Sequence, residues 1–152
     1  MKVLIADDDA VIRRLLRARL EAHHHEVVEC DSGEEAWSIL GRSNPQVLIT
    51  DWSMPGMNGI ELTQRVRSTP RDTYVYVIML TSNDSRHAYL KGVKAGVDAF
   101  LAKPLDGGLF EAQLSIAARI VALQEHAKRL ESIMTACSSC KHEVGSSTGD
   151  LH

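Results

Sequence analysis

Short apolar runs alternate with longer stretches in which apolar residues recur every three to four positions, and the alternation continues for about the first two thirds of the chain. The run at 3–6, "VLIA", is bounded by acids and lacks polar alternation, which predicts a strand buried on both faces. From Ala10, Val11, Ile12, Leu15, Leu16 and Leu20 recur at helical spacing, with Asp9 in position to cap and Arg13, Arg14, Arg17 and Arg19 on the opposing side. A strand over 27–30 follows. Next, "SGEEAWSIL" opens with Ser32 and Glu35 in capping-box spacing and carries Ala36, Ile39 and Leu40 on one face up to Gly41.

After Asn44 and Pro45 comes a central strand over 46–50 that ends on Asp51. Ile60, Leu62 and Val66 predict a third helix closed by Thr69 and Pro70, and 74–80 reads as a strand ending on Thr81. Ala88, Leu90, Val93 and Ala95 predict a fourth helix stopped by Gly96, and 99–102 a last strand ending on Lys103. Five strands alternating with helices argue for parallel βαβ units with helices on both faces of the sheet. In open sheets of this kind the working site lies beyond the carboxyl ends of the strands.

Those ends carry the candidate chemistry. Asp7 and Asp8 follow the first strand, Asp51 the third, Thr81 the fourth and Lys103 the fifth. Taken singly, each has a structural explanation: a helix cap, a backbone hydrogen bond, a neutralising charge. Together at one sheet edge they form a site. Crowded carboxylates stay ionised only with a cation among them, and their hard oxygens suit Mg²⁺ or Mn²⁺. Lys103 and Thr81 could hold phosphate oxygens. The set therefore points to phosphoryl transfer to a carboxylate, with Asp51 at its centre.

The segments "ADDD", "ITDWSMPGMNG", "MLTS" and "AKPL", in this order and spacing, closely resemble the receiver domain of two-component response regulators over about residues 1–123. The resemblance implies a flavodoxin-like (βα)5 three-layer sandwich with strand order 2-1-3-4-5. It implies that Asp51 accepts the phosphoryl group and that Asp7, Asp8, Asp51 and the backbone carbonyl of Ser53 bind Mg²⁺. It further implies that Thr81 and Lys103 contact the phosphoryl group, that a cis peptide precedes Pro104, and that Thr81 and Phe100 form the switch. The implied donor is a phosphohistidine on a sensor histidine kinase or a histidine phosphotransfer protein. Ser53 and Asn83, two residues after Asp51 and Thr81, depart from the commonest family pattern at positions that tune dephosphorylation.

A competing enzyme reading starts from "VLIADDDAV", which also fits the first motif of haloacid-dehalogenase-type phosphatases, with Asp7 as nucleophile and Asp9 as acid. It lacks that family's later pair of acids and leaves "TDWSMPGMNG" without a role. The expectation is a phosphoacceptor signalling domain rather than an enzyme. It is either an isolated switch or phosphorelay intermediate, or the receiver part of a larger regulator whose output enzyme, for instance a diguanylate cyclase, lies elsewhere.

Composition and charge narrow the partners. The 152 residues are 44% hydrophobic, enough for one domain and an appendage but not for a second sizeable domain. A net charge of −3, no basic tail and no helix-turn-helix argue against direct DNA binding. The start "MKVLIADDD" is unlike a signal peptide and no run approaches the about 18 apolar residues of a membrane span, so a cytoplasmic location is expected. Of three cysteines, Cys30 reads as an inert thiol, and Cys137 and Cys140 as a weak zinc motif without a second pair. His23, His24 and His25 read as a solvated turn.

Beyond the receiver, Leu109, Ile116, Leu123 and Leu130 recur every seven residues, and Gln113, Ile120, Ala127 and Met134 follow four after each. We expect 109–123 to be the core face of the last receiver helix. Residues 124–136 are expected as a helical extension able to form a parallel homodimeric coiled coil, and 137–152 as a flexible tail.

Overall fold

The computed structural model describes residues 1–149 apart from Asn83 and Asp84, with side chains described up to residue 137. Five parallel strands, β1 (Lys2–Ala6), β2 (Glu26–Cys30), β3 (Val47–Asp51), β4 (Tyr76–Thr81) and β5 (Ala99–Ala102), lie in the order β2-β1-β3-β4-β5. Between them run α1 (Ala10–Ala22), α2 (Gly33–Arg42), α3 (Gly59–Ser68) and α4 (Arg86–Ala95), and α5 (Gly107–Gly149) follows the last strand. The expected flavodoxin-like fold is the one observed.

Strands β1, β3 and β4 carry long apolar runs because both of their faces are covered. Val3, Ile5, Ile49 and Ile78 pack with Leu16 and Leu20 of α1 and Phe110 and Leu114 of α5. Leu4, Leu48, Val77 and Met79 pack on the other face with Ala36 and Leu40 of α2, Leu62 and Val66 of α3 and Ala95 of α4. Caps set the helix starts. Asp9 accepts a hydrogen bond from Val11 N at 2.9 Å, Ser32 from Glu35 N at 3.2 Å, and Asn58 from Glu61 N at 2.9 Å. Gly96 ends α4 at φ 106°, a left-handed turn that favours glycine.

Several helix faces differ from expectation. On α1, Val11 and Leu15 are exposed, whereas Arg13, Arg17 and Arg19, expected on the wet side, are half-buried. The cause is local: Arg13 donates to the Asp7 carbonyl at 2.6 Å, and Arg17 pairs with Glu29 at 3.1 Å. On α4, Leu90 and Val93 are exposed, and the inner face is made of Ala88, Gly92 and Ala95. Small residues are needed there because the Phe100 ring lies where a Cβ on residue 92 would sit, 2.5 Å from its Cζ. Strand β4 starts at Tyr76 rather than at 74, since Tyr74 turns outward to donate its hydroxyl to Asp98 at 2.6 Å.

The largest correction concerns α5. Its core face is Phe110, Leu114, Ala117 and Val121, not the Leu109 to Leu123 stripe, and Leu109 and Leu123 are 61% and 65% exposed. The two stripes are one residue apart, about 100° around the helix, and both satisfy helical spacing. The helix also runs on to Gly149 where a flexible tail was expected from 137. Adding residues to an existing helix costs far less than starting one, and no proline interrupts this stretch. The weak zinc motif noted in the sequence includes Cys140, whose side chain is outside the described residues; Cys137 is exposed. Among the described residues no helix is long and apolar enough to cross a membrane.

Candidate functional site

Register brings the predicted residues together. Ala6 lies beside Thr50, Asp51 beside Leu80, and Thr81 beside Ala102, so the residues that end or follow β1, β3, β4 and β5 emerge at one edge. Asp7 is completely buried, Asp51 and Thr81 are nearly so, and Asp8 is exposed. The Lys103 ammonium lies 3.3 Å from Asp7 Oδ2 and 3.3 Å from Asp51 Oδ1. Lys103 N donates to the Thr81 carbonyl at 2.9 Å, and the Lys103–Pro104 peptide is cis, as the resemblance implied.

The electrostatics of this edge are unbalanced. Asp7 Oδ1 accepts from Asp9 N at 2.9 Å. Its Oδ2 is buried without a well-directed hydrogen bond and has the Lys103 ammonium as its ionic neighbour. Burial pushes the Asp7 carboxyl above its ordinary range, with the nearby Asp51 charge adding to the effect, against the Asp9 hydrogen bond and Lys103. Burial pulls Lys103 down, but Asp7 and Asp51 more than reverse it and raise the ammonium. One cation is thus shared by two carboxylates. Ligand oxygens of Asp7, Asp8 and Asp51 all lie within 4.8 Å of one another, a hard-oxygen set that fits a small divalent cation and would satisfy the stranded Oδ2. Asp8 and Ser53 line one open cleft with Trp52, Met54, Pro55 and Asn58.

Phe100 is half-buried on β5, with its ring 4.9 Å from that of Tyr89 on α4. Trp52, directly after Asp51, packs against the same core cluster. Sequence reasoning named Phe100 but missed Tyr89 and Trp52 beside it, although Trp52 directly follows Asp51. It also missed Glu34 of α2, whose carboxylate accepts Met57 N at 2.8 Å and holds the loop after Asp51. That contact joins residues 23 apart and leaves no local pattern. Asn83 lies outside the described residues. Cys30 is buried, its thiol pushed up to about 12 chiefly by burial, as expected of an inert thiol. The histidine turn is not wholly free in solvent: His25 Nδ1 is 3.0 Å from the N-terminal amine, and His23 is 3.6 Å from Glu111.

Comparison with known proteins decides the family. The model of the response regulator receiver domain matches residues 3–115. The chain belongs to the receiver-domain family. The Helicobacter pylori chemotaxis protein CheY1 is 36% identical over 118 residues, covering 76% of this chain and 95% of that protein. A solved structure of a response regulator from Chloroflexus aurantiacus superposes with a TM-score of 0.71 at 31% identity, over 76% of this chain and 95% of that one. The Vibrio cholerae chemotaxis protein CheY4 gives 0.72 at 28% identity, over 76% and 97%. This receiver is a signalling module of two-component systems and does not come from a catalytic family. Receiver domains bind Mg²⁺ at an acidic pocket and interact with histidine kinases or phosphotransfer proteins.

Proposed function

We propose that Asp51 is the phosphoacceptor of this receiver and that Asp7, Asp8, Asp51 and the Ser53 carbonyl hold Mg²⁺ or Mn²⁺ beside it. The observation that carries the reading is the Lys103 ammonium at 3.3 Å from both Asp7 and Asp51. A bound divalent cation supplies charge neutralisation for the phosphoryl oxygens. Asp51 acts as nucleophile: a carboxylate oxygen forms an O–P bond as the P–N bond of a phosphohistidine donor breaks, and the imidazole leaves with the bonding electron pair. Lys103 stabilises equatorial charge on the transferring group, and the Thr81 hydroxyl donates to one of its oxygens. The domain supplies this chemistry itself, so a small phosphodonor can replace the protein one. Movement of Thr81 toward the new charge frees space for Phe100, and the change is read by a protein partner at α4, β5 and α5.

The test uses Mg²⁺ with acetyl phosphate, read by intact mass, and beryllofluoride, read by the change in tryptophan emission. Wild type should gain one phosphoryl group, and Asp51→Asn should gain none. An unmodified wild type, or an Asp51→Asn variant modified as fast as wild type, refutes the assignment.

A further inference from the structure

Most of the Leu109 stripe on α5 is exposed. Leu109, Leu123, Leu130 and Met134 are 61%, 65%, 47% and 68% exposed, and Ile120 is exposed beside them. Only Ile116 and Gln113 are half-covered by the domain, Gln113 accepting from the Tyr76 hydroxyl at 3.4 Å. The apolar residues therefore do not divide into a covered receiver half and an open extension. One seam begins inside the receiver and continues past it. It spans about 38 Å at 1.5 Å per residue.

We propose that a second copy of this chain packs in parallel and in register along this seam, from Leu109 to Met134, so that the receiver's own α5 face and the extension form one two-stranded coiled coil.

The repeat pattern names the occupant. Leu109, Ile116, Leu123 and Leu130 take d positions, and Gln113, Ile120, Ala127 and Met134 take a positions, nearly four heptads of knobs that fit the holes of an identical helix. Leucine stands at three of the four d positions, the residue that two-stranded parallel coils favour there, and Ile120 is the one β-branched residue among the a positions. Gln113 sets the register, because it meets its own copy across the seam only in a parallel, unshifted pair. In that pair His126 at g faces Glu131 at e of the partner helix, a complementary contact. Among the described residues the domain touches the seam at Gln113 and Ile116 and leaves Leu109, Ile120, Leu123, Ala127, Leu130 and Met134 exposed. The core stripe lies about 100° away. The contacts that hold the extension against the base of the sheet, Lys128 Nζ to Thr73 Oγ1 at 2.6 Å and Gln46 Nε2 to Glu125 Oε1 at 3.0 Å, use b and f positions. Those contacts fix how the helix leaves the domain while Leu123, Ala127, Leu130 and Met134, the a and d positions beyond it, stay exposed.

The pairing goes beyond the chemistry proposed at Asp51 and does not depend on it. Sedimentation equilibrium of the whole chain should give twice the chain mass, and Leu123→Asp with Leu130→Asp should reduce it to the chain mass. Both leucines are exposed in the single chain, so the double variant should keep its circular dichroism and its phosphorylation by acetyl phosphate. Ala122→Asp, at an exposed position off the seam, should leave the dimer intact. The direction has a native reporter: Cys137 is exposed and falls at the next d position, so it would face its own copy in a parallel pair and lie at the opposite end in an antiparallel one. In a Cys140→Ser background, diamide should oxidise the two facing Cys137 thiols to one disulfide, giving a cross-linked dimer on a non-reducing gel. A wild type that stays at the chain mass at high concentration, a dimer indifferent to the Leu123→Asp and Leu130→Asp pair, or a dimer without the Cys137 cross-link overturns the proposal.

Discussion

The carboxyl edge of the sheet and the outer stripe of α5 are opposite errors of solvation. At the edge, carboxylates are buried with one ammonium among them; on α5, leucines stand in water. Each arrangement costs the isolated chain free energy, and under the two proposals made above each would be relieved from outside, by a cation and phosphoryl group at one and by an apolar helix at the other. The interior between them is conventional, with matched apolar faces on both sides of the sheet. Residues that look wrong for the lone chain are therefore the guide to what it binds.

Substitutions can break this contrast, beginning with the strongest. Lys103→Met strands two carboxylates, so without divalent cation it should destabilise the fold by about 3 kcal/mol in urea unfolding, and it should also slow phosphorylation. Leu114→Ala, in the covered stripe of α5, should cost about 3 kcal/mol. Gly92→Ala forces a Cβ against the Phe100 ring and should cost about 1 to 2 kcal/mol. Its further mark would be a changed near-ultraviolet signal from the aromatic group.

Asp7→Asn should act in the other direction. Because burial raises the Asp7 carboxyl above its ordinary 3.8, the folded chain holds that proton more tightly than the unfolded chain does. The stability this gives is present below the ordinary carboxylate range and is lost as pH rises through the raised value, so at neutral pH the ionised group is a burden. Removing its charge should raise Tm without cation and flatten that part of the pH dependence. Excess Mg²⁺ should raise the Tm of wild type and not of Asp7→Asn. The smallest effect belongs to Leu123→Ala, which under dilute conditions should stay within about 0.5 kcal/mol of wild type. The gap between Leu114→Ala and Leu123→Ala measures how different the two stripes of one helix are.

The strands were legible because a doubly covered strand has only one pattern to show, an apolar run, and β1, β3 and β4 show it. The edge residues were legible because each directly ends or follows such a run. Helix faces were harder. On α4 the more apolar side chains, Leu90 and Val93, point outward, and the buried face belongs to alanines and a glycine that counting hydrophobicity passes over. On α5 the 109, 116, 123 and 110, 114, 117, 121 series both satisfy helical spacing, and only the position of the sheet selects the second. Long-range contacts such as Glu34 to Met57 write nothing into local sequence.

Trp52 makes the acidic edge visible to light. The chain has two tryptophans, and the other, Trp37 on α2, has the Arg65 guanidinium 5.9 Å from its ring centre. With Trp37 replaced by Phe, every emitted photon excited at the indole band would come from the residue next to Asp51. Cation binding, acyl-phosphate chemistry and the rearrangement of Phe100 could then be followed in real time in an unlabelled protein.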